Sequence, residues 1–108
     1  MLISLLKAKL HRIRVTEANL DYEGSLTLDP DDMEAVGMLP YEKILVADVE
    51  NGSRFETYAI AGRRGSHVCC LNGAAARLGK VGDRLIVMSF ACMAPDEAAN
   101  WQPKVLHF

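Results

Sequence analysis

Few cysteines, few aromatic residues and no long apolar run limit what this sequence can encode. Its three cysteines, Cys69, Cys70 and Cys92, are odd in number and too few for a disulfide framework. They also show no zinc-binding spacing with the three histidines. We therefore expect the cysteines to be buried as small hydrophobic residues, and we predict no metal site. No apolar segment approaches the ~20 residues that cross a bilayer, so the sequence predicts no membrane association.

An excess of either charge is also missing. The net charge is −2 and the pI is about 5.9, which gives no overall attraction to nucleic acid. The segment "MLISLLKAKLHR" is too short in its apolar part for a secretory signal, and no small-residue cleavage site follows it. Half of the residues are hydrophobic, which argues against disorder. We expect a cytoplasmic protein with a single domain over residues 1–108.

Short strands dominate the pattern along the chain. Residues 5–15 alternate apolar and polar side chains and then change phase near Arg12, which predicts a bulge. A short helix is predicted in "DPDDMEAVG", with Asp29 as its N-cap and Gly37 at its end. Further strands are predicted at residues 25–28, 43–50, 54–61, 67–71 and 84–93 and in "KVLHF". About six short strands with one or two short helices favour a small closed barrel.

The Gly24–Ser25 pair, in the segment "DYEGSLTL", has two interpretations. Most Gly–Ser pairs are ordinary turns. A serine hydroxyl can also attack the carbonyl of the preceding residue and convert the peptide to an ester. This needs a twisted backbone that glycine tolerates and an oxyanion donor at the Gly24 carbonyl. Elimination then gives dehydroalanine, which hydrolyses to a pyruvoyl group at the new chain start.

Four separated motifs decide between these interpretations: "KLHR" at 9–12, "YEGS" at 22–25, "RFETYAI" at 54–60 and "NGAAA" at 72–76. Together, and in register over nearly the whole chain, they resemble the bacterial aspartate 1-decarboxylase family, which makes β-alanine for pantothenate biosynthesis. The resemblance implies a mainly β fold, a small double-psi β-barrel with short helices. It also implies cleavage between Gly24 and Ser25 into chains 1–24 and 25–108.

The resemblance further implies the reaction. L-Aspartate forms a Schiff base with a pyruvoyl group made from Ser25 and is decarboxylated to β-alanine and CO2, with no metal and no PLP. The implied partners are the substrate, further copies of the chain in a homotetramer with active sites between subunits, and, if cleavage is not spontaneous, a maturation partner protein. Two alternatives are a pyruvoyl decarboxylase of another acidic amino acid such as glutamate, and a non-catalytic barrel that serves as a binding or assembly module.

The resemblance also assigns site residues on two strands. It implies that Lys9 and Arg54 bind the substrate carboxylates, that Tyr58 donates a proton, and that Thr57 acts near the Gly24 carbonyl. Without the resemblance, we would interpret Lys9 and Arg54 as solvated charges and Tyr58 as a packed tyrosine. Arg54 and Tyr58 share strand parity whereas Thr57 should face the other way, so either a bulge or a site shared between subunits is expected.

A loop and two supporting residues complete the predicted site. The loop "NGAAA" places small residues and backbone N–H groups at a helix start, where the resemblance implies contact with the substrate and the pyruvoyl group. Its predicted site residues are Asn72, Gly73, Ala74 and Ala75. His11 is expected to organise the charges near Lys9, and Tyr22 to line the pocket. The chain departs from the family at Ala47, often an aromatic residue, and at Asp21, a histidine in some members, which affects the expected pocket shape and activation rate.

Overall fold

The fold is mainly β, as expected, with 47% of residues in strands. The computed structural model describes residues 1–108. In chain order the strands are Ile3–Arg14 (β1), Glu17–Asn19 (β2), Ser25–Leu28 (β3), Lys43–Asp48 (β4), Arg54–Ala61 (β5), Cys69–Asn72 (β6), Arg84–Met93 (β7) and Lys104–His107 (β8). The helices are Pro30–Ala35 (α1), the 3₁₀ helix Gly73–Arg77 and Pro95–Ala98 (α2). None of the helices has the length and apolar character needed to span a bilayer.

The strands form one sheet in the order β2-β6-β3-β5-β4-β7-β1-β8, which is consistent with the predicted small double-psi β-barrel. The short strand β3 pairs in parallel with β5 and antiparallel with β6. Strand β3 begins at Ser25. Its neighbour β5 carries the motif at residues 54–60, and its neighbour β6 ends at Asn72, the first residue of the motif at 72–76. The motif at residues 9–12 lies on β1, and β5, β4 and β7 separate β1 from β3.

The predicted irregularity in the first strand is confirmed. Arg12 has a φ of 67°, and the pairing of β1 with β7 shifts register between His11 and Ile13. The extra residue allows Leu10 and Ile13, three positions apart, both to be buried. It leaves His11 half-buried on the outward face of the sheet.

Asp29 caps helix α1, as predicted, and also accepts hydrogen bonds from the loop before β6. Its Oδ1 accepts hydrogen bonds from the backbone N–H groups of Asp31, at 2.9 Å, and Gly65, at 3.0 Å. Its Oδ2 accepts from the backbone N–H of His67 at 2.9 Å. Burial acts to raise the pKa of Asp29, but these hydrogen bonds outweigh it and lower the pKa. One carboxylate therefore joins the start of α1 to the loop before β6.

Three expectations about strands and cysteines are wrong. The structure has eight strands rather than about six, and β2 is the strand that the sequence did not predict. It has only three residues, all exposed, and is defined by its pairing with β6. Strand β6 begins at Cys69 instead of residue 67, because His67 has a φ of 55°. Cys69 and Cys70 are buried as expected, whereas Cys92 is exposed.

Candidate functional site

Ser25 and Asn72 are direct neighbours across two strands. The antiparallel register of β3 and β6 pairs these two residues. Ser25 is only 1% exposed, and its Oγ accepts a hydrogen bond from Asn72 Nδ2 at 3.1 Å. The Ser25 hydroxyl in turn donates to the Glu23 carbonyl oxygen at a long 3.4 Å. The hydroxyl that the sequence predicts as the nucleophile is therefore buried and oriented by an amide.

The Asn72 side chain is fully engaged in this network. Its Nδ2 also donates to Thr27 Oγ1 at 2.8 Å, and its Oδ1 accepts from the Cys70 thiol at 3.2 Å. Asn72 precedes the 3₁₀ helix but makes no side-chain capping hydrogen bond to it. Thr27 and Cys70 are absent from the sequence-predicted site. The only sequence signal for them is their position two residues from Ser25 and from Asn72, on the same strand face.

The backbone of Gly73 packs directly against Gly24. Gly73 has a φ of 64°, and a Cβ on it would lie 2.8 Å from both Gly24 N and Gly24 Cα. Gly24 itself does not adopt a left-handed φ. The left-handed backbone next to the cleavage position belongs to Gly73 in the facing loop. A side chain at residue 73 would displace the segment that holds Ser25.

Two cavities lie on either side of the Gly24–Ser25 peptide. One, of about 350 Å³, is lined by Ser25, Tyr22 and Tyr58. The other, of about 250 Å³, is lined by Gly24 and Thr57 together with Ala74 and Ala75. The pairing of β4 with β5 has no register shift from residue 54 to residue 58, so the predicted bulge is absent. Strand alternation directs Tyr58 toward the serine side and Thr57 toward the glycine side.

The predicted cationic residues lie elsewhere. Arg54, Ala47 and His11 stand in one row on the outward face of the sheet, since Arg54 pairs with Ala47 and both Ala47 and His11 pair with Ile86. Lys9 lies on the same outward face, opposite Met88. None of these residues lines either cavity beside the Gly24–Ser25 peptide. Arg54 is four residues from Tyr58 along β5, or about 13 Å.

His11 is a neutral imidazole near neutral pH. Burial lowers its pKa, and the positive charges of Lys9 and Arg12 lower it further, with a smaller effect from His107. The rings of His11 and His107 meet edge to face with centroids 5.4 Å apart. His11 Nδ1 is buried and has no hydrogen-bond partner. His11 lies on the same face of β1 as Lys9.

One cluster could hold a metal ion, but it lies outside the cavities beside Ser25. Ligand atoms of Asp29, Asp32 and His67 lie within 4.8 Å of one another at the start of α1. The Asp29 oxygens already accept three backbone hydrogen bonds. Burial is the main reason that the pKa of Asp32 is raised, followed by the nearby Asp29 charge.

A family profile described as "Aspartate decarboxylase" matches residues 1–108. The chain belongs to the aspartate decarboxylase family. It is 54% identical over 105 residues to the aspartate 1-decarboxylase of Salinibacter ruber, covering 97% of this chain and 72% of the relative. It is 56% identical over 106 residues to that of Lactiplantibacillus plantarum, covering 98% and 82%. It is 55% identical over 102 residues to that of Bacillus subtilis, covering 94% and 80%.

Membership of the aspartate decarboxylase family confirms the resemblance drawn from the four motifs. In this member, the structure brings Ser25, Gly24 and Tyr22 together with Thr57, Tyr58 and the loop 72–75. It leaves Lys9, His11 and Arg54 outside both cavities. Ala47 lies beside Arg54 on the outward face of the sheet, and Asp21 lies in a turn where its backbone N–H donates to Asn19 Oδ1 at 3.2 Å.

Proposed function

We propose that this chain decarboxylates L-aspartate to β-alanine and CO2, using a pyruvoyl group made from Ser25 after cleavage of the Gly24–Ser25 bond. The observation that carries the proposal is that the buried Ser25 hydroxyl accepts a hydrogen bond from Asn72. The backbone of Gly73 packs against Gly24 beside it. Relatives named aspartate 1-decarboxylase, 51–57% identical to this chain, support the choice of substrate.

The proposed maturation uses only groups of the chain and water. Ser25 Oγ bonds to the Gly24 carbonyl carbon, the Gly24–Ser25 C–N bond breaks, and the proton lost by the hydroxyl passes to the departing nitrogen, which becomes the free amine of Ser25. Loss of the Ser25 Cα proton then expels the Gly24 carboxylate and leaves dehydroalanine. Water hydrolyses this product to the pyruvoyl group and ammonia. Thr57, which lines the cavity beside Gly24, is the proposed hydroxyl donor to the carbonyl oxygen during the first step.

The residues around Ser25 fit the group that this cleavage would leave. The Asn72 amide is within hydrogen-bond distance of the Ser25 side chain, and the cavity of about 350 Å³ gives room for a small substrate. The pyruvoyl carbonyl supplies an electron sink for loss of a carboxyl group. Tyr58 lines the same cavity, and its phenol is the proposed donor of the proton that replaces CO2.

Lys9 and Arg54 are the proposed ligands of the two substrate carboxylates. Both lie on the outward sheet face, away from the Ser25 cavity of their own chain. We therefore propose a homotetramer in which this face of one subunit completes the Ser25 cavity of a neighbour. His11 lies in the same row as Arg54 and is the proposed organiser of these charges. The single-domain organisation and the cytoplasmic location remain predictions from the sequence.

Glutamate is a second candidate substrate because of Ala47. The small side chain of Ala47 lies between Arg54 and Ile86 on the outward face of the sheet. This leaves room beside Arg54, the proposed ligand of a substrate carboxylate. Glutamate is one methylene longer than aspartate, a difference worth roughly 1–3 kcal/mol in a matched pocket. Measuring CO2 release from each amino acid at equal concentration separates the two substrates. Faster release from aspartate supports the first.

Intact-mass measurement of purified protein tests the proposal. We expect two fragments, 1–24 and 25–108, the longer one starting with a pyruvoyl cap instead of serine. Ser25→Ala is expected to stay intact and inactive. Tyr58→Phe, the matched control, is expected to cleave normally yet to decarboxylate poorly. An uncleaved wild-type chain that still consumes aspartate would contradict the pyruvoyl mechanism, and an uncleaved, inactive chain after prolonged incubation would favour the binding module.

A further inference from the structure

Cys70 is a buried thiol in contact with Asn72, the residue whose amide donates to the Ser25 hydroxyl. It lies two residues before Asn72 on β6 and is 6% exposed. Its Sγ is 3.2 Å from Asn72 Oδ1, and the other nearby acceptor, the Leu71 carbonyl oxygen, is at 3.9 Å. Burial raises the pKa of Cys70, and the charge of Glu17 adds to this. The thiol therefore keeps its proton near neutral pH and can donate it.

The side-chain amide of Asn72 has two chemically different ends. In the structure its NH₂ group faces Ser25 Oγ and Thr27 Oγ1, and its Oδ1 faces the Cys70 thiol. With the amide rotated by half a turn, Oδ1 would face the two hydroxyls and the NH₂ group would face sulfur, a weak acceptor. The thiol proton therefore favours the first orientation, because only that orientation gives it the amide oxygen.

This orientation matters for cleavage. As Ser25 Oγ loses its proton and attacks, negative charge develops on that oxygen. An N–H donor stabilises this charge, whereas an amide oxygen in the same place would repel it. We propose that Cys70 is a positioning residue for self-cleavage: its thiol proton holds the Asn72 amide so that the NH₂ group faces the Ser25 hydroxyl. The inference rests on the proposed function, because it concerns the rate of the same cleavage.

The test compares cleavage rates of freshly purified precursor by intact mass. Cys70→Ala removes the donor and is expected to slow cleavage about 10-fold, the effect of one lost hydrogen bond. Cys70→Ser restores an O–H donor and is expected to stay within about 3-fold of wild type. Cys69→Ala is the matched control, because Cys69 is equally buried but its side chain packs in the hydrophobic core. It is expected to lower Tm without slowing cleavage.

A shape-matched pair keeps the test valid if Cys70→Ala folds poorly. Cys70→Thr carries a donor and Cys70→Val does not, and their side chains have nearly the same shape. We expect the threonine variant to cleave faster than the valine variant at comparable Tm. Equal cleavage rates in this pair, or equal slowing in Cys70→Ala and Cys69→Ala, would overturn the positioning role while leaving the proposed function intact. Failure of the wild type to cleave would instead count against the proposed function.

Discussion

At the scale of single residues, Gly73 and Gly52 provide a matched test of close backbone contact. Both have a left-handed φ, 64° and 76° respectively. A Cβ on Gly52 meets nothing within 4 Å, so Gly52→Ala should cost only the left-handed strain, about 1 kcal/mol. A Cβ on Gly73 would lie 2.8 Å from the Gly24 backbone, so Gly73→Ala should cost roughly 2–4 kcal/mol and impair cleavage.

Two measurements check this prediction. The free energy of unfolding is measured by urea denaturation in the uncleavable Ser25→Ala background, at one fixed protein concentration. Cleavage is measured by intact mass in chains that retain Ser25. Equal stability losses for the two alanine variants, together with normal cleavage of Gly73→Ala, would show that the Gly73–Gly24 contact does not shape the site.

The sequence allowed some members of the candidate site to be predicted and concealed others for a physical reason. Ser25 and Asn72 lie in motifs that indicate chemistry, and the structure places them in contact. Thr27 and Cys70 join them only because β3 and β6 pair in one register, which no local pattern specifies. A one-residue slip would turn both side chains to the opposite face. The assigned roles of all four residues remain predictions.

At the scale of elements, a pair of buried carboxyl groups joins the end of β4 to the start of β7. Asp48 is 2% exposed and Asp83 is 3% exposed. Asp48 Oδ1 accepts from the Glu50 N–H at 2.8 Å, and Asp83 Oδ2 accepts from the Lys80 N–H at 3.1 Å. Burial is the main reason that the pKa of Asp48 is raised to about 6, and the hydrogen bond and charge of Asp83 also contribute to this rise. Below that pH Asp48 is mainly protonated in the folded protein.

The sign of the pH dependence follows from this raised pKa. Between pH 3.8 and about 6 the folded state binds a proton at Asp48 that the unfolded state has released. This contribution to stability is fully present below pH 3.8 and is lost as the pH rises to about 6. Above that pH the two carboxylates repel each other. Asp48→Asn removes the repulsion and offers an N–H donor to Asp83.

We therefore expect Asp48→Asn to be more stable than its parent by roughly 1–2 kcal/mol at pH 8, and to show little gain at pH 4. Urea denaturation from pH 4 to pH 8 in the Ser25→Ala background measures this. Asp96→Asn, at an exposed position in α2, is the control and should follow the parent at every pH. A constant difference between Asp48→Asn and its parent across the pH range would contradict the raised pKa of Asp48.

Elements with strong local signals could be predicted, and those that depend on distant partners could not. The cap of α1 at Asp29 follows from local chemistry and is present. The bulge at Arg12 follows from the change of phase in β1. Strand β2 has no alternating apolar pattern, and its definition as a strand comes from pairing with β6. The sheet order depends on such pairings throughout, so the strand pattern favoured only a small barrel and its double-psi topology came from the family resemblance.

At the scale of the whole molecule, the predicted site is split between two separate regions of one chain's surface. Ser25 and Tyr58 share a cavity whose rim is aromatic and exposed, with Tyr22 54% and Tyr41 77% exposed. Lys9 and Arg54 lie on the outward face of the sheet. A substrate that contacts all of these groups needs the second surface to come from another copy, as expected for a site between subunits.

Subunit mixing tests this arrangement. Ser25→Ala and Arg54→Ala chains should each be inactive alone. Co-expressed with different tags and purified as mixed oligomers, they should form sites that combine Ser25 from one chain with Arg54 from the other, about a quarter of all sites. The control mixes Lys9→Ala with Arg54→Ala. Because both residues lie on the same face of one chain, every such site lacks one cation, and no activity should return. If Ser25→Ala with Arg54→Ala also stays inactive in verified mixed oligomers, each site must instead be built within one chain, and Arg54 would have to reach Ser25 across about 13 Å of its own β5 strand.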